Sequence, residues 1–169
     1  MSDKVTTREM TAADLPQVAR LHARVMGPGR FARTAYRVRE KRPGGAGQVS
    51  GLSRAAFLGH RMIASVTFTD ITVGGKAGAA LLGPLAVDPE FTGQGYGRRL
   101  VAESLEKAKA LGLKLIVLVG DEPYYGRLGF KRVPPGQILL PGPVDPARIL
   151  ATALEPGAED AFSGTVSAA

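Results

Sequence analysis

Glycines stand at every second position of Thr92-Gly93-Gln94-Gly95-Tyr96-Gly97-Arg98, just behind the apolar stretch Leu85-Ala86-Val87. A glycine-rich turn that opens a helix bares several main-chain N–H groups at the positive end of the helix dipole. That is a seat for phosphate or pyrophosphate. Glycine also lets the backbone approach a ligand closely and take up dihedrals that other residues avoid. Further along comes Tyr124-Tyr125-Gly126-Arg127-Leu128-Gly129-Phe130. A phenol of pKa about 10 is protonated at neutral pH and can give a hydrogen bond or a proton to a leaving group.

The turn fits neither of two familiar phosphate motifs. A dinucleotide fingerprint counted from Gly93 and Gly95 needs a glycine where Arg98 stands, and Gly75-Lys76 is followed by Ala77 rather than the Ser or Thr of a P-loop. Read alone, the segment is either a phosphate cradle or a plain tight turn.

The elements around it must position both segments. Val5 to Arg8 reads as a short first strand, and Thr11-Ala12-Ala13-Asp14 as a capping-box start. The helix that follows puts Leu15, Val18, Ala19, Leu21, His22, Val25 and Met26 on one broad apolar side, and Gly27-Pro28-Gly29 ends it. A second helix is expected from about Arg30 to Arg39, with Arg30, Arg33 and Arg37 on one face. Pro43 to Gly47 reads as a flexible loop. Arg54–Leu58, Met62–Val73 and Ala77–Val87 then read as an antiparallel meander turned at Gly59-His60 and Gly74-Gly75. Behind the glycine turn, Leu100, Val101, Leu105, Ala108 and Leu111 share one side of a helix that Gly112 ends. Leu113–Val119 is a buried strand, parallel to the one before the helix by the crossover rule. Residues 148–154 form a last strand, and the small, polar stretch 156–169 is expected to be a flexible tail.

Composition narrows the chemistry. The 169 residues hold no cysteine, so disulfides, thiolate metal sites and a cysteine nucleophile are excluded, and two histidines cannot make a His-rich metal site. No apolar run reaches the roughly 18 residues of a membrane span, and the first residues lack a secretory pattern, so the expectation is a cytoplasmic protein with no membrane contact. The net charge of +7 suits a nucleic-acid surface, an acidic cofactor or substrate, or simply a solvated basic face. An aromatic share of 6% without tryptophan weakens a base-stacking role.

The order strand, glycine turn, amphipathic helix, apolar strand, Tyr-x-x-x-Gly-Phe resembles the GCN5-related N-acetyltransferase (GNAT) superfamily. Gly95 and Gly97 match its Arg/Gln-x-x-Gly-x-Gly/Ala turn, and Thr92 departs from the first position. Gly27 to Arg37 and Val117 to Tyr125 are similar to the YhbS-like group within it. The resemblance runs from about Val5 to Leu154, which assigns residues 1–155 to an N-acetyltransferase domain. It implies an α/β (α+β) GNAT fold with a mixed, mostly antiparallel central sheet flanked by helices.

It also implies acetyl-CoA as cosubstrate and no metal. Thr92, Gly93, Gln94, Gly95, Tyr96, Gly97 and Arg98 would hold the pyrophosphate. Leu85, Ala86 and Val87 would run beside the pantetheine arm, with a backbone N–H on the oxyanion. Tyr125 would protonate the departing thiolate. A primary amine would attack directly in a ternary complex, since there is no cysteine to carry an acyl group. The acceptor amine must first lose a proton; His60, Asp70 and Glu40 are the candidates for the base, but each reads more readily as an ordinary surface or turn residue and none is assigned as catalytic. Arg30, Arg33 and Arg37 form either a solvated face or a wall of the acceptor site, which would favour an acidic or nucleic-acid-borne acceptor. A small molecule, peptide or protein amine and a possible homodimer all stay open. Two rival readings are a non-catalytic CoA-binding regulatory module and a basic nucleic-acid-binding protein.

Overall fold

Local sequence signals set the first third of the chain. The computed structural model describes residues 4–41 and 49–169; the loop expected at 43–47 lies outside the described residues. Strand β1 (Val5–Glu9) leads into the Thr11–Asp14 capping box, where the Asp14 carboxylate accepts from the Thr11 N–H at 2.8 Å. Helix α1 (Leu15–Met26) follows and buries Val18, Leu21 and His22; Ala19 and Val25, expected on its inner side, are exposed.

The single helix expected from Arg30 to Arg39 is two pieces. A 3-10 turn runs over Pro28–Ala32 and α2 over Thr34–Glu40. Arg33 between them is extended, with φ −67° and ψ 146°, so Arg30, Arg33 and Arg37 do not share one helical face.

Strands β2 (Arg54–Leu58), β3 (Arg61–Val73) and β4 (Lys76–Val87) form the expected antiparallel meander. Helix α3 (Tyr96–Ala110) packs Leu100, Val101, Ser104 and Ala108 against it. It closes at Gly112, φ +81°, with the Leu113 N–H donating to the Ala108 carbonyl at 3.0 Å; this places Leu111 outside, 59% exposed. Strand β5 (Leu115–Val119) returns parallel to β4. After it come the one-turn α4 (Glu122–Tyr125), β6 (Lys131–Arg132), β7 (Ile138–Leu139) and β8 (Ile149–Ala153). The sheet order is β1-β2-β3-β4-β5-β8-β6, with antiparallel ladders except at β4–β5.

The stretch 156–169 departs from the flexible tail expected of it. It forms α5 (Ala158–Ala161) and β9 (Gly164–Ala168), and β9 pairs with β3 through Ile71–Val73 and with β7. Its small residues are the reason it fits. A Cβ on Gly164 would come within 2.7 Å of the Gly74 Cα, so the two chains meet only as glycines. Phe162 is fully buried beside Val117, Val133 and Ile138.

Phe162→Ala should therefore cost about 3–5 kcal/mol, as for other buried Phe truncations. Urea unfolding should give a lower midpoint at unchanged slope. A change within about 0.5 kcal/mol, typical of surface positions, would mean this segment contributes nothing to the core.

Candidate active site

β4 and β5 are paired only from Ala79–Leu81 to Leu115–Val117. Beyond Leu81 they part, because β4 bulges. Leu82 faces Phe68 and Leu85 faces Val66, so Gly83 and Pro84 together oppose Thr67. Past the bulge, the edge of β4 from Leu82 to Val87 has no strand beside it. Buried main-chain groups need partners, and α2 meets one of them: Arg39 Nη2 donates to the Gly83 carbonyl at 3.0 Å. A cavity of about 400 Å³ fills the opening, lined by Leu82, Leu85 and Val119 below and by Arg33, Tyr125 and Arg148 around it.

The glycine turn stands at the end of the same strand. Asp88 anchors it. This buried carboxylate accepts from the Glu90 N–H and from Arg61 Nη2, both at 3.0 Å, and lies 3.4 Å from Arg24. Burial pushes its pKa up, but the Glu90 N–H and the two arginines hold it below the usual carboxylate range. Gly93 (φ +76°) and Gly95 (φ +84°) adopt the left-handed conformation, and a Cβ at either would meet nothing within 4 Å. None of the N–H groups from Gly93 to Arg98 donates to a main-chain carbonyl among the described residues. The turn is thus an open cradle of main-chain donors at the head of a helix of 15 residues. Gly97 is different. It is buried, and a Cβ there would lie 2.8 Å from the Tyr124 hydroxyl.

α4 carries the two tyrosines. Tyr125 stacks edge-on against Tyr124 and Phe130, with ring centroids 4.8 and 5.9 Å apart. Burial, reinforced by Tyr124 and Asp121, pushes its phenol up to about 12; Arg33 and Arg148 oppose the shift. Its hydroxyl makes no hydrogen bond among the described residues and stays protonated at neutral pH.

Comparison with known proteins decides the family. The sequence model of the acetyltransferase (GNAT) family matches residues 17–130, more than half of the chain. The chain belongs to the GNAT acetyltransferase family. YjhQ of Escherichia coli K12, named an uncharacterized N-acetyltransferase, is 34% identical over 83 residues, which is 47% of this chain and 46% of YjhQ. YhbS of the same strain, named likewise, is 37% identical over 75 residues, 42% of this chain and 43% of YhbS. The matched region spans less than half the length of these relatives. The structure is similar to that of E. coli YhbS in complex with CoA, with a TM-score of 0.83 at 24% identity over 100% of this chain and 92% of that one. It is also similar to a GNAT family acetyltransferase from Brucella melitensis in complex with acetyl-CoA, with a TM-score of 0.74 at 22% identity over 99% and 97%. At these identities the likeness is one of fold: the mixed, mostly antiparallel GNAT sheet flanked by helices.

Within this GNAT framework the residues singled out from the sequence fall in different places. Leu85 and Tyr125 line the same cavity. Ala86 is buried under α1's cluster, and Val87 is half-buried beside α3's. Thr92, Gly93 and Gln94 are exposed in the turn, and the Thr92 hydroxyl donates to the Pro89 carbonyl at 3.2 Å. None of the candidate bases reaches the cavity. His60 is in the exposed β2–β3 turn, Asp70 near the far end of β3 and Glu40 at the exposed end of α2. Sequence reasoning missed Asp145, the single carboxylate that lines the cavity among the described residues, and Arg148 beside it. Asp-Pro at 145–146 was a legible signal, because Asp145 caps a 3-10 turn by accepting from the Ala147 N–H at 2.9 Å. Among the described residues no group of His, Asp and Glu is placed to hold a metal ion, and no helix is long and apolar enough to cross a membrane.

The sequence pattern gives His22 only a packing role. The structure gives it a second one. It is buried, and its Nδ1 lies 2.6 Å from the Tyr36 hydroxyl, tying α1 to α2. Burial first, then the charges of Arg39, Arg30 and Arg33, lower its pKa to about 4. The ring is thus neutral, and its tautomer sets which partner donates in the bond to the Tyr36 hydroxyl. Since the unfolded imidazole titrates near 6.5, stability from this group is complete above that pH and falls as pH drops toward 4. An NMR titration of His22 should give a midpoint near 4. A midpoint above 6 would show that the ring is solvated and does not hold α2 in place.

Proposed function

We propose that the protein is an acetyl-CoA-dependent N-acetyltransferase that acetylates a primary amine by direct attack in a ternary complex. The observation that carries the reading is the arrangement of three features along one strand. The free edge of β4 and Tyr125 line the cavity where β4 and β5 part, and the glycine cradle follows at the end of that strand. Family membership and the CoA-bound fold neighbours support the cosubstrate.

Acetyl-CoA supplies the activated acyl thioester. The N–H groups of residues 93–98 would hold its pyrophosphate, aided by the dipole of α3. They fit that task because they are undonated and because nothing occupies the space above Gly93 and Gly95. The open edge from Leu85 to Val87 would pair with the pantetheine amides as an added strand would. An N–H on that edge would stabilise negative charge on the carbonyl oxygen. The amine nitrogen forms the new bond to the carbonyl carbon, and the carbon–sulfur bond breaks. One proton leaves the nitrogen and one reaches the sulfur. Tyr125, held neutral by its raised pKa, would deliver the second. Asp145 is the lining carboxylate best placed, directly or through water, to receive the first.

Tyr125→Phe keeps the ring and its stacking and removes only the hydroxyl. Turnover should fall by about 10²- to 10⁴-fold, the usual range for losing a general acid. Acetyl-CoA affinity should hardly change. Tyr124→Phe, whose hydroxyl lies over Gly97 instead, should lose less. Steady-state thiol release at saturating acetyl-CoA is the measurement. Two variants of equal, near-wild-type rate would remove Tyr125 from the chemistry.

A further inference from the structure

The structure separates three arginines that the sequence presents alike. Arg30 donates to the Gly27 carbonyl at 2.8 Å and lies 4.3 Å over the Phe31 ring. Arg37 donates through Nε to the Ala32 carbonyl at 3.0 Å and packs against Gly142, where a Cβ would meet its Nη1 at 3.0 Å. Both guanidiniums therefore hold the α1–α2 connection in shape. Arg33 does neither. Its main chain bonds to Arg30 and Arg37, but its side chain lines the cavity and makes no hydrogen bond or ion pair among the described residues.

The other charged side chains at the cavity have partners. Arg148 lies 3.4 Å from Asp121, and the Asp145 carboxylate accepts from the Ala147 N–H. Arg33 is the lining cation left without a counter-charge among the described residues.

The segment that carries it is held from two sides. Arg33 is extended between the 3-10 turn and α2. The Tyr36 hydroxyl is tied to His22, and the Phe31 and Tyr36 rings meet edge-on at 5.5 Å. Arg39 fastens α2 to the Gly83 carbonyl, and a Cβ on Gly83 would lie only 3.3 Å from that of Ala35. The segment carrying Arg33 is thus docked on the bulge that opens the site. Arg33 is itself exposed at the cavity wall, and its guanidinium offers a planar fork of donors that matches a carboxylate or phosphate. The surrounding field, from a chain of net charge +7, adds to the attraction.

From this geometry we infer that the acceptor is an anionic amine: a primary amine whose carboxylate or phosphate is bound by Arg33 while the nitrogen reaches the opening beside Tyr125. The inference rests on the acetyltransferase reading above and adds the substrate class to it.

Matched acceptors test it. Glycine, β-alanine, 4-aminobutyrate and phosphoethanolamine would be compared with glycinamide, β-alaninamide, 4-aminobutanamide and ethanolamine, each by acetyl-CoA-dependent thiol release. For at least one pair kcat/KM should favour the anionic member by about 10- to 100-fold, the size of one hydrogen bond to a charged group. Which pair responds reports whether carboxylate or phosphate is preferred and how far the charge sits from the nitrogen. Arg33→Ala should bring that ratio towards one, and Arg33→Lys should restore it only in part, because the fork is lost. Arg20→Ala, which removes an exposed cation outside the cavity, should leave the ratio intact. If amines are acetylated but the ratio is near one, or survives Arg33→Ala, the anionic-acceptor assignment is wrong and acetyl transfer stands. The assignment is equally wrong if Arg33→Ala weakens acetyl-CoA binding as much as it lowers the ratio. If acetyl-CoA binds and no amine is acetylated, the acetyltransferase reading itself fails.

Discussion

Everything at the candidate site depends on a ladder that stops. β4 and β5 exchange hydrogen bonds for three residue pairs and then diverge at the Gly83–Pro84 bulge. A parallel pair in the middle of a sheet normally continues, because buried N–H and C=O groups left without partners are costly. Here the divergence leaves one edge of a central strand unoccupied from Leu82 to Val87. The fold tolerates this because Arg39 takes the Gly83 carbonyl and because the edge faces a cavity rather than packed side chains. An extended ligand with amides of its own is the natural partner for what remains.

The opening needs anchors on both sides. At the far end of β4, Asp88 gathers the Glu90 N–H, Arg61 and Arg24 round one buried carboxylate, which fixes where the strand ends and the glycine turn begins. At the near end, α2 lies against the bulge, held by Arg39 and by the His22–Tyr36 bond. Ser104, midway along α3, donates to the Leu52 carbonyl at 2.7 Å and ties that helix to the segment before β2. These polar contacts each set a position that apolar packing alone, being non-directional, would leave loose.

Much of this was legible in the sequence. The meander from 54 to 87, the glycine turn, α3 with its Gly112 stop and the return strand follow from periodicity and glycine placement, and they appear where expected. Two segments did not yield to the same reading. Arg30 to Arg39 has helical spacing, but Arg33 is extended between a 3-10 turn and α2, where Tyr36 is bonded to His22 of α1, a contact that spacing does not report. The stretch 156–169 looks too small and polar to pack. It packs for that reason: Gly164 can lie on Gly74, and one phenylalanine fills the core behind them. The cavity's charged lining was the least visible part. Arg33 and the turn that carries Asp145 and Arg148 lie far apart in the chain, and only the folded sheet brings them to one cavity.

The central claim is that the parted strands and the glycine turn together seat acetyl-CoA. Residue-resolved amide NMR during an acetyl-CoA titration tests it most directly. The account predicts saturable shifts that are largest at Leu82, Gly83 and Leu85–Val87 and at Gly93–Arg98, with α5 and β9 little changed. Binding that leaves those two stretches unmoved, or no binding at all, would contradict it.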